Sequence, residues 1–287
     1  MEGVNVQLPP LKEWKDAKKA FFNVKAEPVA TTSVGTAPVL LSLGGNVVID
    51  PILKTRGGAV CADSVGDTLE THFPKHLKET KALRLCVIGN PDARDLVLTA
   101  WKNSRKNSTK DKIVEMDSPE TATAATVTET GNDLRLPIRS KEKTDMMYTA
   151  FSGPCSIRGY MWAVLTATRQ LQKGGSMVVS FCDNDVYSTQ PFAQLMALAA
   201  MSFDKCFLYK SPKSTSLATL TLVAVSFNND SVMKWVESEL YDSVRRAKRP
   251  IVDLLPGKPF PEVFQQAYAQ AVTLTRVHNA KVVFHGA

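Results

Sequence analysis

The feature that most constrains this 287-residue chain is a regular alternation of short apolar runs with amphipathic stretches, beginning near residue 83. The first run, LRLCVIG at 83–89, is continuously apolar, as strands buried in a parallel sheet are. ARDLVLTAWKNS at 93–104 follows it and predicts an amphipathic helix. Strands that alternate with helices of this length form βαβ units with right-handed crossovers. Residues 83–227 therefore predict a Rossmann-like, doubly wound α/β sheet that is mostly parallel.

The remaining elements of this segment are predicted in the same way. The predicted strands are KIVEMD, DMMYTA, SMVVSF, KCFLYK and LATLTLVAVSF, and the predicted helices are SIRGYMWAVLTATRQLQ and FAQLMALAAMSF. Only SPKSTS, at 211–216, separates the last two strands, which is too short for a crossover helix. These two strands are therefore predicted to form an antiparallel C-terminal hairpin at the sheet edge.

Helical additions are predicted on both sides of this sheet. Residues 1–80 read as an N-terminal extension with a basic helix, LKEWKDAKKAFFNVK, and a hairpin near Gly44 and Gly45. Residues 81–228 are the predicted Rossmann domain. Residues 229–287 form a C-terminal helical extension, with one helix, a proline-rich joint, and a last helix and strand.

Charge and cysteine content narrow the class of protein. The formal net charge of +7 favours RNA or another polyanion as a partner. No apolar run approaches the roughly 18 residues needed to cross a membrane, and the N-terminus lacks the apolar core of a secretion signal. The five scattered cysteines form no CxxC pair, and Pro74 interrupts the His72–His76 spacing. We expect a cytoplasmic protein with reduced cysteines, no metal and no membrane partner.

A parallel sheet closed by an antiparallel hairpin resembles the class I S-adenosylmethionine-dependent methyltransferases. Three segments resemble one branch of that class, the FtsJ-like ribose 2′-O-methyltransferases of rRNA and of viral and cellular mRNA caps. They are KGGSMVVSF at 173–181, LYKSPKSTSLATLTLVAV at 208–225 and the basic helix KDAKKAFFNVK at 15–25. The resemblance covers residues 12–227 and implies S-adenosylmethionine as cofactor.

Only half of the family's cofactor signature is present. Gly89, Asn90 and Pro91 stand where the family's Gly-x-x-Pro-Gly-Gly-type loop begins, but Asp92 and Ala93 replace the glycines that follow. A Cβ atom at such turn positions restricts φ and crowds a ligand. Asp117, at the end of the next strand, matches the acid that bonds the cofactor ribose in the family. We expect these positions to mark the cofactor site and expect cofactor binding to be weakened or lost.

The resemblance places a Lys-Asp-Lys-Glu tetrad where this sequence carries other residues. Ala150, Ser180 and Thr219 occupy the last three positions, and only the first has a lysine candidate, Lys19 or Lys25. Without a lysine and its carboxylate partners, a ribose hydroxyl is not activated in the family's way. We therefore expect a methyltransferase-like scaffold or RNA-binding subunit of an RNA-processing or viral assembly. The alternative is an active RNA methyltransferase with a diverged site.

Two basic clusters are the candidate RNA contacts. Lys210 and Lys213 lie in the predicted hairpin, where substrate RNA passes in the family. Arg245 and Arg246 end a predicted helix. Such residues bind phosphates electrostatically, but cations at a helix C-terminus are also stabilised by the helix dipole without any ligand.

Overall fold

A computed structural model describes most of the predicted Rossmann domain and parts of both flanking regions. The basic helix at 11–25, with Lys19 and Lys25, and the predicted hairpin at 31–60 lie outside the described residues, apart from Thr31. The described ranges are 2–9, 30–31, 61–78, 81–118, 136–137, 142–151, 153, 155–182, 186–217, 219–228, 230–247, 251–255 and 261–285.

Seven strands form the central sheet, and a separate two-stranded sheet accompanies it. The strands of the larger sheet are β1 (Val4–Leu8), β3 (Arg84–Ile88), β4 (Lys112–Met116), β5 (Thr144–Ala150), β6 (Leu171–Cys182), β7 (Phe203–Lys210) and β8 (Thr219–Phe227). The smaller sheet pairs β2 (Ala30–Thr31) with β9 (Ile251–Asp253). The strand order in the larger sheet is β1-β7-β8-β6-β5-β3-β4.

The sheet is mixed, with a parallel half and an antiparallel half. Strands β4, β3, β5 and β6 pair in parallel, as the alternation of strands and helices predicts. Strand β8 lies antiparallel between β6 and β7, which confirms the predicted hairpin. The hairpin is not at the edge, however, because β1 adds antiparallel to β7 on its outer side.

Strand β1 lies in the predicted N-terminal extension, at a place where no strand was predicted. Its residues alternate between buried and exposed, with Val4, Val6 and Leu8 facing the core. That alternation is the pattern of a half-buried strand, but five residues are too few for it to stand out. The partner of β1 lies about two hundred residues away in the sequence, so the pairing has no local signal.

Eight α-helices are described. They are α1 (Ala62–His72), α2 (Pro74–Lys78), α3 (Pro91–Ser104), α4 (Ile157–Gln170), α5 (Gln190–Ala200), α6 (Asp230–Trp235), α7 (Tyr241–Arg246) and α8 (Glu262–His285). A π-helical turn at Val236–Leu240 joins α6 to α7. Helix α8 runs to His285, so the final strand predicted there is wrong. No described helix is both long and apolar enough to span a bilayer.

One hydrophobic core lies on each face of the sheet. On one face, α1 and α3 pack with Val65, Val97 and Trp101 against the sheet. On the other face, α4, α5 and α8 cover a larger core. In that core Tyr160 and Phe181 pack edge to face, with ring centroids 4.9 Å apart. The near-continuous apolar character of β3 and β5–β8 follows from burial on both faces.

Candidate functional site

The carboxyl ends of the parallel strands meet at one edge of the sheet, where open α/β sheets bind ligands. Gly89 follows β3, Asp117 follows β4, and Ala150 and Cys182 end β5 and β6. At Gly89 the neighbouring backbone approaches closely, since a Cβ atom there would lie 2.9 Å from the carbonyl oxygen of Ala150. The structure thus brings together the residues that the sequence assigned to a cofactor site.

The turn after β3 is a capped helix start. Asn90 is the N-cap of α3, and its Oδ1 accepts a hydrogen bond of 2.9 Å from the backbone N–H of Ala93. Pro91 occupies the first turn of the helix, a position that suits its fixed φ. Ala93 is buried against Gly89. One of the backbone donors that an open glycine loop would present to a ligand is therefore already bonded to Asn90.

Asp117 is bonded to a side chain of the helix that faces it. Arg94 Nη1 donates to Asp117 Oδ1 at 2.7 Å, and Arg94 Nε lies 3.4 Å from Glu115 Oε2. The Asp117 side chain is 70% exposed, whereas that of Arg94 is 17% exposed. The acid is thus at the edge where it was predicted, but its nearest partner is a guanidinium that sequence reasoning did not single out.

Two of the tetrad positions, Ala150 and Ser180, lie in one row of residues that crosses four strands. Ala150 pairs with Ser180, and Ser180 pairs with Thr221. Thr221 pairs in turn with Tyr209. Residues directly opposite each other project from the same face of a sheet. The residue in register with Ser180 is therefore Thr221 and not Thr219, which pairs with Cys182 nearer the edge.

Hydroxyl groups replace charges in this row. Ser180 Oγ lies 3.3 Å from Tyr148 Oη and 3.2 Å from Thr221 Oγ1, both within hydrogen-bonding distance. Ser180 and Thr221 belong to the row, whereas Tyr148 precedes Ala150 by two residues on β5, and all three are buried. Burial raises the pKa of Tyr148 to about 12, so this phenol stays protonated at neutral pH.

Lys210 is inside the protein, so the prediction that it contacts RNA phosphates is wrong. Its side chain is 2% exposed. Its Nζ donates to the backbone oxygens of Ser216, at 2.7 Å, and Thr219, at 2.8 Å. The amine thus bonds two carbonyls of the segment that leads from β7 into β8. Burial lowers the Lys210 pKa to about 7.

The other candidate RNA contacts lie on the surface. The Lys213 side chain is 57% exposed, and its Nζ is 4.0 Å from Asp67 Oδ1. Arg245 and Arg246, near the end of α7, each bond the carboxylate of Asp242, at 2.6 and 2.7 Å. That carboxylate offsets part of their charge. Contact of these three residues with RNA stays a prediction.

A second polar cluster, not anticipated from the sequence, joins α1 to β7. The Tyr209 hydroxyl donates to Asp67 and lies 3.4 Å from Thr71 Oγ1. His72 packs edge-on against Tyr209, with ring centroids 4.8 Å apart. Burial lowers the His72 pKa to about 4, which keeps the imidazole neutral. Among the described residues, no group of three or more His, Cys, Asp and Glu side chains could hold a metal ion.

The strand order, with β8 antiparallel between two strands of the opposite direction, defines a Rossmann-like methyltransferase fold. No family model matches the chain, and no curated protein matches its sequence. Solved structures resemble it distantly, and at these values the likeness concerns fold alone. A putative class I S-adenosylmethionine-dependent methyltransferase from Listeria monocytogenes is 9% identical, with a TM-score of 0.35 over 79% of this chain and 73% of that one.

Two O-methyltransferases resemble the chain to a similar degree. One from Streptomyces achromogenes, solved with S-adenosylmethionine, is 12% identical, with a TM-score of 0.33 over 76% of this chain and all (100%) of that one. An O-methyltransferase family protein from Burkholderia thailandensis is 8% identical, with a TM-score of 0.30. That match spans 59% of this chain and 59% of the Burkholderia protein.

Proposed function

We propose that this protein is a methyltransferase-like subunit that binds RNA, or scaffolds an RNA-processing or viral RNA assembly, without transferring methyl groups itself. The row formed by Ala150, Ser180 and Thr221 carries this proposal. If the chain descends from FtsJ-like enzymes, Ala150 and Ser180 stand where an aspartate and a lysine would help activate the ribose. Thr219, at the glutamate position, pairs with Cys182 next to that row. Hydroxyl groups bonded to one another offer neither a base nor a charge to position one.

General base catalysis needs a group that titrates near the working pH and reaches the proton it removes. Tyr148, with a pKa raised to about 12, does not meet the first requirement. Lys210 has a suitable pKa of about 7, but its Nζ is bonded to two backbone carbonyls and is shut away from solvent. Neither Tyr148 nor Lys210 therefore meets both requirements.

The cofactor side supports the same proposal. Arg94 donates a hydrogen bond to the carboxylate of Asp117, and the Asn90 side chain accepts one from the backbone N–H of Ala93. The Arg94 guanidinium occupies one carboxylate oxygen of Asp117 and offsets its charge, so it competes with the ribose hydroxyls of a bound S-adenosylmethionine. We infer that cofactor affinity has been weakened or lost.

The proposed RNA-facing groups are Lys213, Arg245 and Arg246, aided by the net charge of +7. Phosphate contacts from such residues carry no sequence information, so they fit a subunit that positions RNA for another protein. A cytoplasmic site of action and a protein partner are part of the same proposal.

Calorimetric titration of the purified chain with S-adenosylmethionine and S-adenosylhomocysteine tests the cofactor part. We expect no binding at micromolar concentrations and no methyl transfer to capped or uncapped RNA. Micromolar binding together with transfer to either RNA would overturn the proposal. Binding without transfer would leave the non-catalytic role standing and show that the cofactor site survives.

A second candidate function is an active S-adenosylmethionine-dependent RNA methyltransferase with a diverged site. One observation favours it, namely that Asp117 lies at the end of β4 with its side chain 70% exposed. In Rossmann folds, an acid at this place bonds a ribose hydroxyl. Transfer to RNA in the assay above, lost in Asp117→Asn, would establish this alternative.

A further inference from the structure

Helix α8 has apolar side chains on two sides. Its inner side packs into the larger core. Its outer side exposes three large apolar side chains, with exposed fractions of 48% at Val263, 40% at Leu274 and 46% at Val277. Across the described residues only one other large apolar side chain, Val114 on β4, is comparably exposed. Within the described residues, the exposed large apolar side chains are thus concentrated on one helix.

The three outer residues share one face of α8 with a glutamine at its centre. An α-helix turns by about 100° per residue, so positions 263, 274 and 277 fall within an arc of about 60°. Gln270 lies within the same arc, is exposed, and stands seven residues from both Val263 and Val277. Such spacing produces a straight seam, as in helices that pack side by side. We call Val263, Gln270, Leu274 and Val277 the α8 seam.

We propose that two copies of this chain associate through the α8 seam, with the two helices antiparallel and a twofold axis passing beside Gln270. Because Val263 and Val277 are equally far from Gln270, each Val263 then packs on Val277 of the partner subunit, and this contact occurs twice. Leu274 packs beside Ala267 of the partner subunit, whose small side chain leaves it space. The seam is therefore complementary to itself in shape.

The polar residue at the centre of the seam also fits a second copy. A glutamine carboxamide carries both a hydrogen-bond donor and an acceptor. Gln270 and Gln270 of the partner subunit face each other across the axis, so each can donate to the other. A polar residue at one seam position fixes register at a cost in stability. An apolar surface of a different protein would leave this carboxamide without a partner.

The charges at the ends of α8 complement each other in the same arrangement. Glu262 lies in the first turn and Lys281 near the C-terminal end, and both are exposed. The antiparallel pair brings Glu262 within one helical turn of Lys281 of the partner subunit, again twice. The two helix dipoles also oppose each other, whereas a parallel pair would place like ends together. Charge, like shape, thus favours a second copy as the occupant.

The expected association is weak and depends on concentration. Each copy offers only three half-exposed large apolar side chains, which bury far less apolar surface than an obligate dimer does. We expect a dissociation constant on the order of tens of micromolar. The seam does not include the carboxyl edge of the sheet, so dimerisation is independent of any cofactor.

Sedimentation velocity of the full chain from about 1 to 200 µM spans the expected dissociation constant. We expect the wild type to shift from monomer to dimer across this range. Leu274→Glu is expected to stay monomeric, because it places two carboxylates in an apolar seam. Val114→Glu is the matched control, since Val114 has the same exposed fraction of 40%, and it is expected to dimerise as the wild type does. Thermal melts of both variants check that they are folded.

Cross-linking tests the position of the axis. Only a residue beside a twofold axis meets its own copy, so Gln270→Cys is expected to form a disulfide-linked dimer under mild oxidation. Gln265→Cys is the matched control, because Gln265 is also exposed but lies on another side of α8. It is expected to stay uncross-linked on a non-reducing gel. Equal cross-linking of the two variants would contradict the proposed register.

A charge exchange tests the antiparallel direction. Lys281→Glu is expected to weaken the dimer several-fold, since it places two like charges together at each end. The double variant Glu262→Lys/Lys281→Glu restores the pairing and is expected to recover most of the affinity. A dimer unaffected by Leu274→Glu would overturn the proposal. A wild type that is monomeric throughout would also overturn it and would leave the seam to a different protein.

Discussion

Arg94 is the side chain that bonds Asp117 at the carboxyl edge of the sheet. It projects from the first turn of α3 and bonds Asp117 at 2.7 Å, with its own side chain largely buried. Asp117 is the only predicted cofactor-binding residue that carries a charge. A nucleoside that approaches this edge of the sheet therefore contacts the ion pair between Arg94 and Asp117. The effect belongs to one side chain, so it can be tested by substitution.

Replacing Arg94 with alanine is expected to increase affinity for S-adenosylhomocysteine. The change releases the carboxylate of Asp117 for ribose hydroxyls, and one such hydrogen bond corresponds to about a fivefold gain. NMR titration at millimolar ligand measures the effect even if wild-type binding is too weak for calorimetry. Arg94→Lys, which keeps a cation beside Asp117, serves as the control. Equal affinities in all three proteins would show that Arg94 is not the obstacle.

Lys210 makes stability depend on pH. Its folded pKa of about 7 lies below the ordinary 10.5, so folding favours the neutral amine. The contribution of Lys210 to the free energy of unfolding is therefore fully present above the unfolded-state pKa of the amine. This contribution is lost as the pH falls through the folded-state pKa.

Wild type is expected to gain stability relative to Lys210→Met as the pH rises from about 7 to about 10. The expected gain is about 3 kcal/mol, with methionine filling a similar volume without titrating. Urea unfolding at several pH values measures it. Lys213→Met, which removes an exposed amine in the same hairpin, is expected to follow the wild-type curve. Parallel curves for Lys210→Met and wild type would contradict the prediction.

At the scale of elements, a buried ion pair joins the end of α3 to the start of β4. Arg105 Nε lies 2.6 Å from Asp111 Oδ2, and both side chains are fully buried. Asp111 also accepts hydrogen bonds from the Trp101 indole and the backbone N–H of Leu83. Arg105 lies within a basic run of the sequence, WKNSRKNSTKDK. Its burial and its ion pair with Asp111 give it a structural role.

Asp111→Asn is expected to destabilise the protein by about 3–5 kcal/mol, because it leaves the Arg105 guanidinium buried without a counter-charge. Chemical denaturation measures the loss. Glu142→Gln is the matched control, since Glu142 and its partner Lys112 are 59% and 55% exposed, and solvent-exposed pairs contribute little. A small effect of Asp111→Asn would show that solvent reaches the pair.

On the scale of the whole molecule, the proposed RNA binding depends on the basic side chains that are exposed. Arg245 and Arg246 share the carboxylate of Asp242. Of the two lysines predicted to contact RNA from the hairpin, Lys210 is buried and Lys213 is exposed. Electrostatic contacts of this kind are recognised by their dependence on salt.

Lys213→Gln is expected to weaken single-stranded RNA binding and to reduce the salt slope by about 0.7, the value for one lost phosphate contact. Fluorescence anisotropy at several salt concentrations measures both quantities. Lys205→Gln is the control, because it removes an exposed charge from β7 that has no predicted RNA role. Unchanged salt slopes in both variants would show that the hairpin does not contact RNA.

Several elements could be predicted from the sequence because their patterns are local. The apolar run of β3, the amphipathic α3 and the short turn between β7 and β8 each contain their own signal. Strand β1 could not be predicted, because its five residues become a strand only by pairing with β7. The insertion of β8 between β6 and β7 likewise depends on packing and not on composition.

The sequence by itself determined the α/β class, the antiparallel hairpin, and the absence of charged residues at Ala150 and Ser180. Those features depend on residue identity and on periodicities of a few residues. Only the tertiary structure decided that Thr221 shares a row with Ser180, that Arg94 bonds Asp117, and that Lys210 is buried. Each of these requires side chains from separate elements to meet, and their distance and solvent exposure depend on how the strands and helices pack.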